Sequence, residues 1–349
     1  MDKILPAYND PLFSILIIVI LVLIVATFSY VMENYKEKRK DKSLKNFLGK
    51  ISKEPNDFDI KKIPFETTLV HPLSLLADTF TTQGDYQKSI SIYLYLIENI
   101  RSFGQKEFLL ENLGKTYLKA GFLKRSESIF LEILHKHARN TEALYHLEVV
   151  YELLNEYERA FETLKPLQIL GDPCLVLKRH LQLSKLLKNN QIDTIKKAET
   201  IQALLETPNH SYRRVMQELF KLNPSLAWQS IDTKQIGSIL DILWFLPTSN
   251  LNFDIISSNE ILRSIYMAKG FLQHKEETPQ SGIFAIDTIV SAQKCGYTEV
   301  DLIFSYGCRR CKQHFPISFI RCPQCYAIDS ITIKEKLTKK RSKTAYSLL

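Results

Sequence analysis

Residues 113–130 read LGKTYLKAGFLKRSESIF, and residues 147–164, 34 positions later, read LEVVYELLNEYERAFETL. In both stretches a leucine, a tyrosine, a turn-forming Gly or Asn, a small residue and a bulky apolar residue follow in the same order. Residues 76–93, LADTFTTQGDYQKSISIY, give a related order 37 positions earlier, with the three additional positions in the loop at 101–105. A period of this length predicts repeated helical hairpins.

The period is that of the tetratricopeptide repeat. Small residues such as Ala77 and Gly114 allow two helices to approach closely, and Gly84 and Gly121 stand where the first helix of a hairpin ends. Gly and Pro are scarce, at 11 and 13 of 349 residues, which argues against a hairpin-rich all-β fold. We predict an all-α solenoid with three repeats in residues 70–170, followed by four to six helices of degenerate repeats in residues 171–300.

A solenoid of this kind offers a groove lined by the first helix of each repeat, and such grooves bind protein segments. The sequence contains no G-x-S-x-G, no phosphate-binding Gly-rich loop and no H-E-x-x-H. We therefore expect a scaffold with no catalytic residues, and not an enzyme. The predicted client-groove residues are Phe108, Glu111, Lys115, Leu118, Glu142, Tyr145, Val149 and Glu152.

Residues 12–32 contain no charged side chain. As a helix they span about 31 Å at ~1.5 Å per residue, which matches a hydrocarbon core of about 30 Å, so we predict one transmembrane helix. One lysine precedes the span, and seven Lys and Arg residues follow it within residues 33–50. The positive-inside rule then leaves residues 1–11 outside and the rest of the chain in the cytoplasm. The same cations are suited to anionic lipid headgroups, and both roles stay open.

Two C-x2-C units stand ten residues apart near the C-terminus, and each presents two thiolates to one metal ion. Four thiolates suit Zn(II) or a rubredoxin-like single iron. Metal binding is favoured over disulfides because the chain is predicted to face the reducing cytoplasm. Four protein ligands close the shell, so the metal is structural, and a domain this small depends on it to fold. The predicted ligands are Cys308, Cys311, Cys322 and Cys325.

Apolar residues near the cysteines predict short strands of a ribbon or rubredoxin-like fold; they are Ile303, Phe304, Phe315, Ile317, Phe319 and Ile320. Residues 334–349 carry six Lys and Arg residues and one Glu, which indicates a basic tail that is either solvated or in contact with phosphates. The predicted organisation is an outside segment 1–11, a membrane helix 12–32, a basic linker 33–69, repeats 70–170, degenerate repeats 171–300, a metal domain 301–333 and a tail 334–349.

An anchor, helical repeats and a terminal C-x2-C-x10-C-x2-C pair, including the Cys322-Pro-Gln-Cys325 form, resemble the lipopolysaccharide assembly protein B family. The resemblance implies a single-pass protein of the bacterial inner membrane whose rubredoxin-type metal domain packs against its repeats. It also implies an adaptor that brings the LpxC deacetylase to the FtsH protease, restrains lipopolysaccharide production and associates with lipopolysaccharide transport components. Lys312 stands where that family usually has Gly.

Two other functions remain open from the residues alone. A tetrathiolate site that holds iron would make the chain a membrane-tethered electron-transfer protein. The cations Arg309, Arg310, Lys312 and Arg321, together with the tail, would make it a nucleic-acid-binding protein, which we favour least.

Overall fold

A computed structural model describes residues 60, 64–206, 211–273 and 281–340. The predicted outside segment 1–11, the predicted membrane helix 12–32 and most of the linker 33–69 lie outside the described residues, as do residues 341–349. Among the helices of the described residues, none combines the length and the apolar character that a membrane crossing requires.

The described chain is mostly helical with one small C-terminal sheet, which confirms the predicted class. Short 3-10 segments lie at Thr67–Leu69, Leu204–Glu206, Thr233–Ile239 and Thr248–Asn250. The α-helices of the described residues are α1 (Val70–Gln83), α2 (Tyr86–Asn99), α3 (Phe103–Lys119), α4 (Leu123–Lys136), α5 (Thr141–Leu153), α6 (Tyr157–Ile169), α7 (Leu175–Lys188), α8 (Thr194–Ala203), α9 (Tyr212–Leu222), α10 (Pro224–Gln229), α11 (Leu240–Phe245), α12 (Phe253–Ser258), α13 (Glu260–Ala268) and α14 (Phe284–Lys294).

The chain divides into two compact units, residues 1–129 and residues 130–349. In the first unit α2 packs against both α1 and α3. Its interior contains Tyr93, whose hydroxyl donates to Asp78 Oδ1 at 2.6 Å. The small residues Ala77 and Ser89 are fully buried, as close approach of paired helices requires.

The turns of the hairpins follow one backbone pattern, which supports the repeat predicted from the sequence. Gly84, Gly121 and Asn155 occupy equivalent positions in the period and have φ values of 85°, 78° and 60°. Glycine adopts this left-handed region without a steric penalty, and Asn is among the few other residues that adopt it readily. In each turn the next residue donates its N–H to a carbonyl five positions back, at 2.9 Å: Asp85 to Phe80, Phe122 to Tyr117 and Glu156 to Tyr151.

The second unit contains more helices than the sequence predicts. Eight α-helices lie within the described part of residues 171–300, against a prediction of four to six. Three of them, α10, α11 and α12, are only six residues long. Apolar spacing over two or more turns does not reveal helices as short as α10 and α12, whereas α11 lies within the segment 235–246 whose apolar spacing is helical. A buried apolar cluster extends through these helices from Leu183 to Leu302.

The sheet has three antiparallel strands in the order β2-β1-β3, with β1 (Val300–Cys308), β2 (His314–Phe315) and β3 (Ile331–Lys339). The strands contain the predicted strand residues Ile303, Phe304 and Phe315. The prediction is wrong for Ile317, Phe319 and Ile320, which lie in the irregular segment after β2. Pro316 stands directly after β2 and has no N–H to continue the ladder.

The predicted tail begins too early. Residues 334–339 are the second half of β3, and they pair with β1 as far as Lys339 opposite Val300. The sheet order makes β3 an edge strand, where exposed lysines protect against pairing with other chains. The basic composition of this segment therefore belongs to a folded edge strand up to Lys339.

Candidate metal centre

The four predicted ligands lie on two knuckles with the same backbone hydrogen bonds. In the first knuckle, Cys308 N donates to Gln313 O and Lys312 N donates to Cys308 O, both at 2.9 Å. In the second, Cys322 N donates to Ala327 O and Tyr326 N donates to Cys322 O, again at 2.9 Å. The two C-x2-C turns are therefore built alike, as two halves of one metal site require.

The residue after each knuckle has a left-handed backbone. Lys312 has φ 62° and Tyr326 has φ 56°. A left-handed conformation costs a residue with a side chain roughly 1–2 kcal/mol, whereas glycine adopts it without this cost. In this chain both turns are made with residues that carry side chains.

The sulfur atoms fit one tetrahedral ion. Cys308 Sγ and Cys325 Sγ are 3.7 Å apart, Cys311 Sγ and Cys322 Sγ are 3.6 Å apart, and all four sulfurs lie within 4.8 Å of one another. A tetrahedron with metal–sulfur bonds of about 2.3 Å has edges of about 3.8 Å. The four cysteines therefore could hold one metal ion.

The surroundings of the sulfur atoms shift the pKa values of two of the thiols in opposite directions. Burial raises the pKa of the Cys308 thiol, but hydrogen bonding with Ser330 and with the backbone outweighs burial and lowers the pKa to about 6. Ser330 Oγ lies 3.3 Å from Cys308 Sγ. Burial raises the pKa of Cys322 to about 12. A bound cation would favour the thiolate form at both positions.

A side chain at position 307, beside the first ligand, would crowd the neighbouring strand β3. A Cβ atom on Gly307 would lie 2.8 Å from Thr332 Oγ1 on β3. The hydroxyl of Thr332 donates to Gly307 O at 3.1 Å. This close approach of β3 fixes the backbone that leads into Cys308.

One buried cation joins the second knuckle to the helices of the same unit. Arg321, directly before Cys322, donates from Nη2 to both carboxylate oxygens of Glu148, at 2.9 and 3.1 Å, and also to Glu152. Glu152 Oε1 lies 2.6 Å from His180 Nε2 on α7. We call Arg321, Glu148, Glu152 and His180 the Arg321 cluster. It ties the metal domain to α5 and α7.

A second buried cluster ties β1 to α9 and α11. Arg213 donates to both carboxylate oxygens of Asp241 at 2.6 and 2.7 Å, and to Ser318 Oγ at 2.9 Å. Tyr306 on β1 donates its hydroxyl to Asp241 Oδ2 at 2.9 Å. Burial and the Asp241 carboxylate raise the pKa of Tyr306, which keeps this hydroxyl protonated as a donor. We call Arg213, Asp241, Tyr306 and Ser318 the Arg213 cluster.

Neither cluster was predicted, although one signal was present. Glu148 occupies the position where the other two repeats have the small residues Ala77 and Gly114. Its side chain is 1% exposed, and a carboxylate buried to this extent requires a cationic or hydrogen-bonding partner. A glutamate at a small-residue position could therefore have indicated a buried ion pair, though not with which residue.

The predicted client-groove residues are in different environments. In the first unit Phe108 is 55% exposed and Leu118 is 4% exposed. In the second unit Val149 is buried, Tyr145 donates its hydroxyl to Asp172, and Glu152 belongs to the Arg321 cluster. Glu111, Lys115 and Glu142 are partly exposed. The burial of Leu118 and Val149 and the pairing of Glu152 leave these three residues little free surface for a client.

No protein-family model matches the chain. Proteins named lipopolysaccharide assembly protein B, from Escherichia coli strain K12, from E. coli O6:H1 strain CFT073 and from E. coli O157:H7, are each 24% identical to it over 147 residues. The match covers 42% of this chain and 38% of each relative, so the chain matches about two fifths of the length of these curated relatives. These relatives carry the name of the family that the repeats and cysteines resemble.

Proposed function

We propose that this protein is an adaptor in lipopolysaccharide assembly, anchored in the bacterial inner membrane with its folded part in the cytoplasm. The observation that carries the proposal is the four-cysteine centre tied by Arg321 to a helical repeat array, in a chain similar to lipopolysaccharide assembly protein B. In this proposal the tetratricopeptide-type repeats bind protein clients on their surface.

The proposed client is an LpxC-type deacetylase, which the adaptor presents to an FtsH-type protease and thereby restrains lipopolysaccharide synthesis. Lipopolysaccharide transport components are further partners. The membrane helix proposed for residues 12–32 raises the effective concentration of clients near membrane partners without any additional contact. The protein itself has no catalytic function in this proposal.

The metal has a structural role. Cys308, Cys311, Cys322 and Cys325 would hold Zn(II) or iron and fill its tetrahedral shell, so no ligand position is left for an activated water. The ion would supply the cross-link that a domain of this size needs in order to fold. By ordering the second knuckle, it would hold Arg321 against Glu148 and Glu152.

The test is the lifetime of the LpxC-type deacetylase before and after depletion of this protein. We expect depletion to prolong the lifetime several-fold and to increase lipopolysaccharide. Wild-type protein and Cys295→Ser should restore rapid turnover, because Cys295 is exposed and lies outside the metal centre. Cys308→Ser should lose its metal and fail to restore turnover.

Two results would contradict the proposal at different points. An unchanged deacetylase lifetime after depletion would exclude this client. Full restoration by metal-free Cys308→Ser would show that the adaptor function does not need the metal domain.

Electron transfer is the second candidate function, because the sulfur tetrahedron suits iron as well as zinc. It requires a thiolate-to-iron absorption band that disappears reversibly on reduction. Colourless protein with one zinc per chain, purified from cells grown with ample iron, would exclude this function.

A further inference from the structure

A groove of about 620 Å³ lies between α6 and α7. Both helices line it at helical spacing, with positions 161, 164, 165 and 168 from α6 and positions 178, 182, 185 and 186 from α7. Asn189, directly after α7, and Ile192 complete the lining. Its floor is apolar, with Phe161, Leu186 and Ile192 partly buried. The volume lies within the range of roughly 300–1,000 Å³ that is typical of ligand sites in proteins.

The rim of this α6–α7 groove is cationic. Lys165, Lys178 and Lys185 are exposed, and no Asp or Glu is among the residues that line it. Lys185 is paired with Glu158. Within the described part of the chain, the ammonium groups of Lys165 and Lys178 have no hydrogen-bond or ion-pair partner. Two unpaired cations thus lie beside an apolar floor.

Amide side chains complete the rim. Gln168, Gln182 and Asn189 are exposed along the groove. Gln168 Nε2 donates to Pro173 O at 3.4 Å and Asn189 Oδ1 accepts from Gln191 N at 2.9 Å, but an amide has two N–H donors and two acceptor lone pairs, so each side chain keeps a donor and an acceptor for a partner. Amides of this kind can bond to a peptide backbone, whereas the apolar floor accepts alternate side chains. Phe161 is the only aromatic residue among those lining the groove, so it offers no series of stacking platforms for nucleic-acid bases.

We propose that the α6–α7 groove binds a peptide segment of a partner protein that carries acidic side chains beside apolar ones. The acidic side chains pair with Lys165 and Lys178, and the apolar side chains contact Phe161, Leu186 and Ile192. Binding depends on salt, because the ion pairs form at an exposed rim. Only the role of the partner as a client of the adaptor rests on the proposed function.

The experiment is selection of phage-displayed random peptides on purified full-length protein. Three proteins are compared: wild type, the groove variant Lys165→Glu/Lys178→Glu, and the control Lys188→Glu/Lys196→Glu. Both control lysines are exposed and lie outside the groove, so the two variants have the same net charge. Wild type and control should select peptides in which Asp or Glu stands beside Leu, Ile or Phe.

A selected peptide is then labelled, and its affinity is measured by fluorescence anisotropy at low and high salt. We expect the groove variant to bind it about 10-fold or more weakly, and the control within about two-fold of wild type. Replacing the acidic residues of the peptide by lysine should restore binding to the groove variant. This exchange of charges would identify the two lysines as the contacts.

The proposal is overturned if the selected peptides carry no excess of acidic residues, or if the groove variant selects the same peptides as wild type. It is also overturned if a labelled single-stranded oligonucleotide, and no peptide, binds wild type and loses affinity in the groove variant. The selection does not involve the deacetylase. An unchanged deacetylase lifetime together with acidic peptides would therefore refute the proposed client while supporting the groove.

Discussion

Arg321 supplies one guanidinium to two carboxylates. Glu148 is almost fully buried, and burial together with the Glu152 charge raises its pKa to about 7 against the attraction of Arg321. Burial acts on Glu152 in the same direction, but hydrogen bonds and charges from His180 and Arg321 outweigh it and lower the pKa to about 2. Near neutral pH Glu152 is therefore ionised, whereas Glu148 is partly protonated.

Glu148 should make the stability of the metal-loaded protein depend on pH. The pKa in the folded protein lies above the ordinary value of 4.5, so between about pH 4.5 and 7 the folded chain keeps a proton that the unfolded chain has released. The contribution of Glu148 to the unfolding free energy is therefore full below this window and decreases as pH rises through it, by at most about 3 kcal/mol. Glu148→Gln should remove this dependence.

The measurement is the free energy of unfolding in urea for wild type and Glu148→Gln between pH 5 and pH 7.5. At each pH the value for the variant is subtracted from the value for wild type. Glu162→Gln is the matched control, since Glu162 is an exposed glutamate on the neighbouring helix α6. Parallel pH profiles for wild type and Glu148→Gln would contradict the raised pKa.

The four cysteines could be predicted because their spacing along the chain is local. The partners of the second knuckle could not, because Arg321 and Glu148 are 173 positions apart and one sequence does not report such pairs. The same is true of Tyr306 and Asp241, which are 65 positions apart. Local motifs thus identified the candidate ligands, and long-range packing determined what holds them in place.

The strand β3 shows how composition misled the prediction. Lysines at 334, 336 and 339 and a single acid at 335 have the composition of a solvated tail. Yet β3 pairs with β1 along its whole length, and its partner strand begins some thirty residues earlier in the chain. Every side chain from residue 334 to residue 339 is partly or fully exposed, so this half of β3 lacks the apolar alternation of a strand with one buried face.

Two truncations should separate the contribution of β3 from that of the residues after it. A chain ending at Ile333 loses residues 334–339, which pair with residues 300–305 of β1. We expect it to lose at least about 2 kcal/mol of stability and to retain less metal, because each ladder hydrogen bond contributes about 1 kcal/mol. A chain ending at Lys340 keeps β3 and should match the full-length protein.

Thermal unfolding and bound metal per chain would measure both effects. Equal metal content and equal midpoints for the two truncations would mean that β1 does not need the second half of β3.

In residues 130–349, the metal domain and the helices share one interior. Leu302 of β1 belongs to the same buried cluster as the helical residues, and Phe304 meets Phe245 of α11 edge-to-face at 5.6 Å. The Arg321 and Arg213 clusters add two buried ionic contacts. The repeat period correctly predicted a mostly helical chain, but the predicted boundary at residue 300 divides a continuous apolar core.

Metal removal should therefore also destabilise the helices of this unit. Without the ion, the four sulfurs lose their common partner, the second knuckle loosens, and Arg321 no longer pairs with Glu152, the carboxylate of this cluster that is ionised at neutral pH. Loss of one partner of a buried ion pair costs about 3–5 kcal/mol, so α5 should become less stable as well as the knuckles. We expect chelation to accelerate amide hydrogen exchange in α5 (Thr141–Leu153) by about 10-fold or more, and added zinc to reverse it. Cys295→Ser should respond as wild type does, whereas unchanged exchange in α5 after verified metal loss would show that the knuckles and this helix are energetically independent.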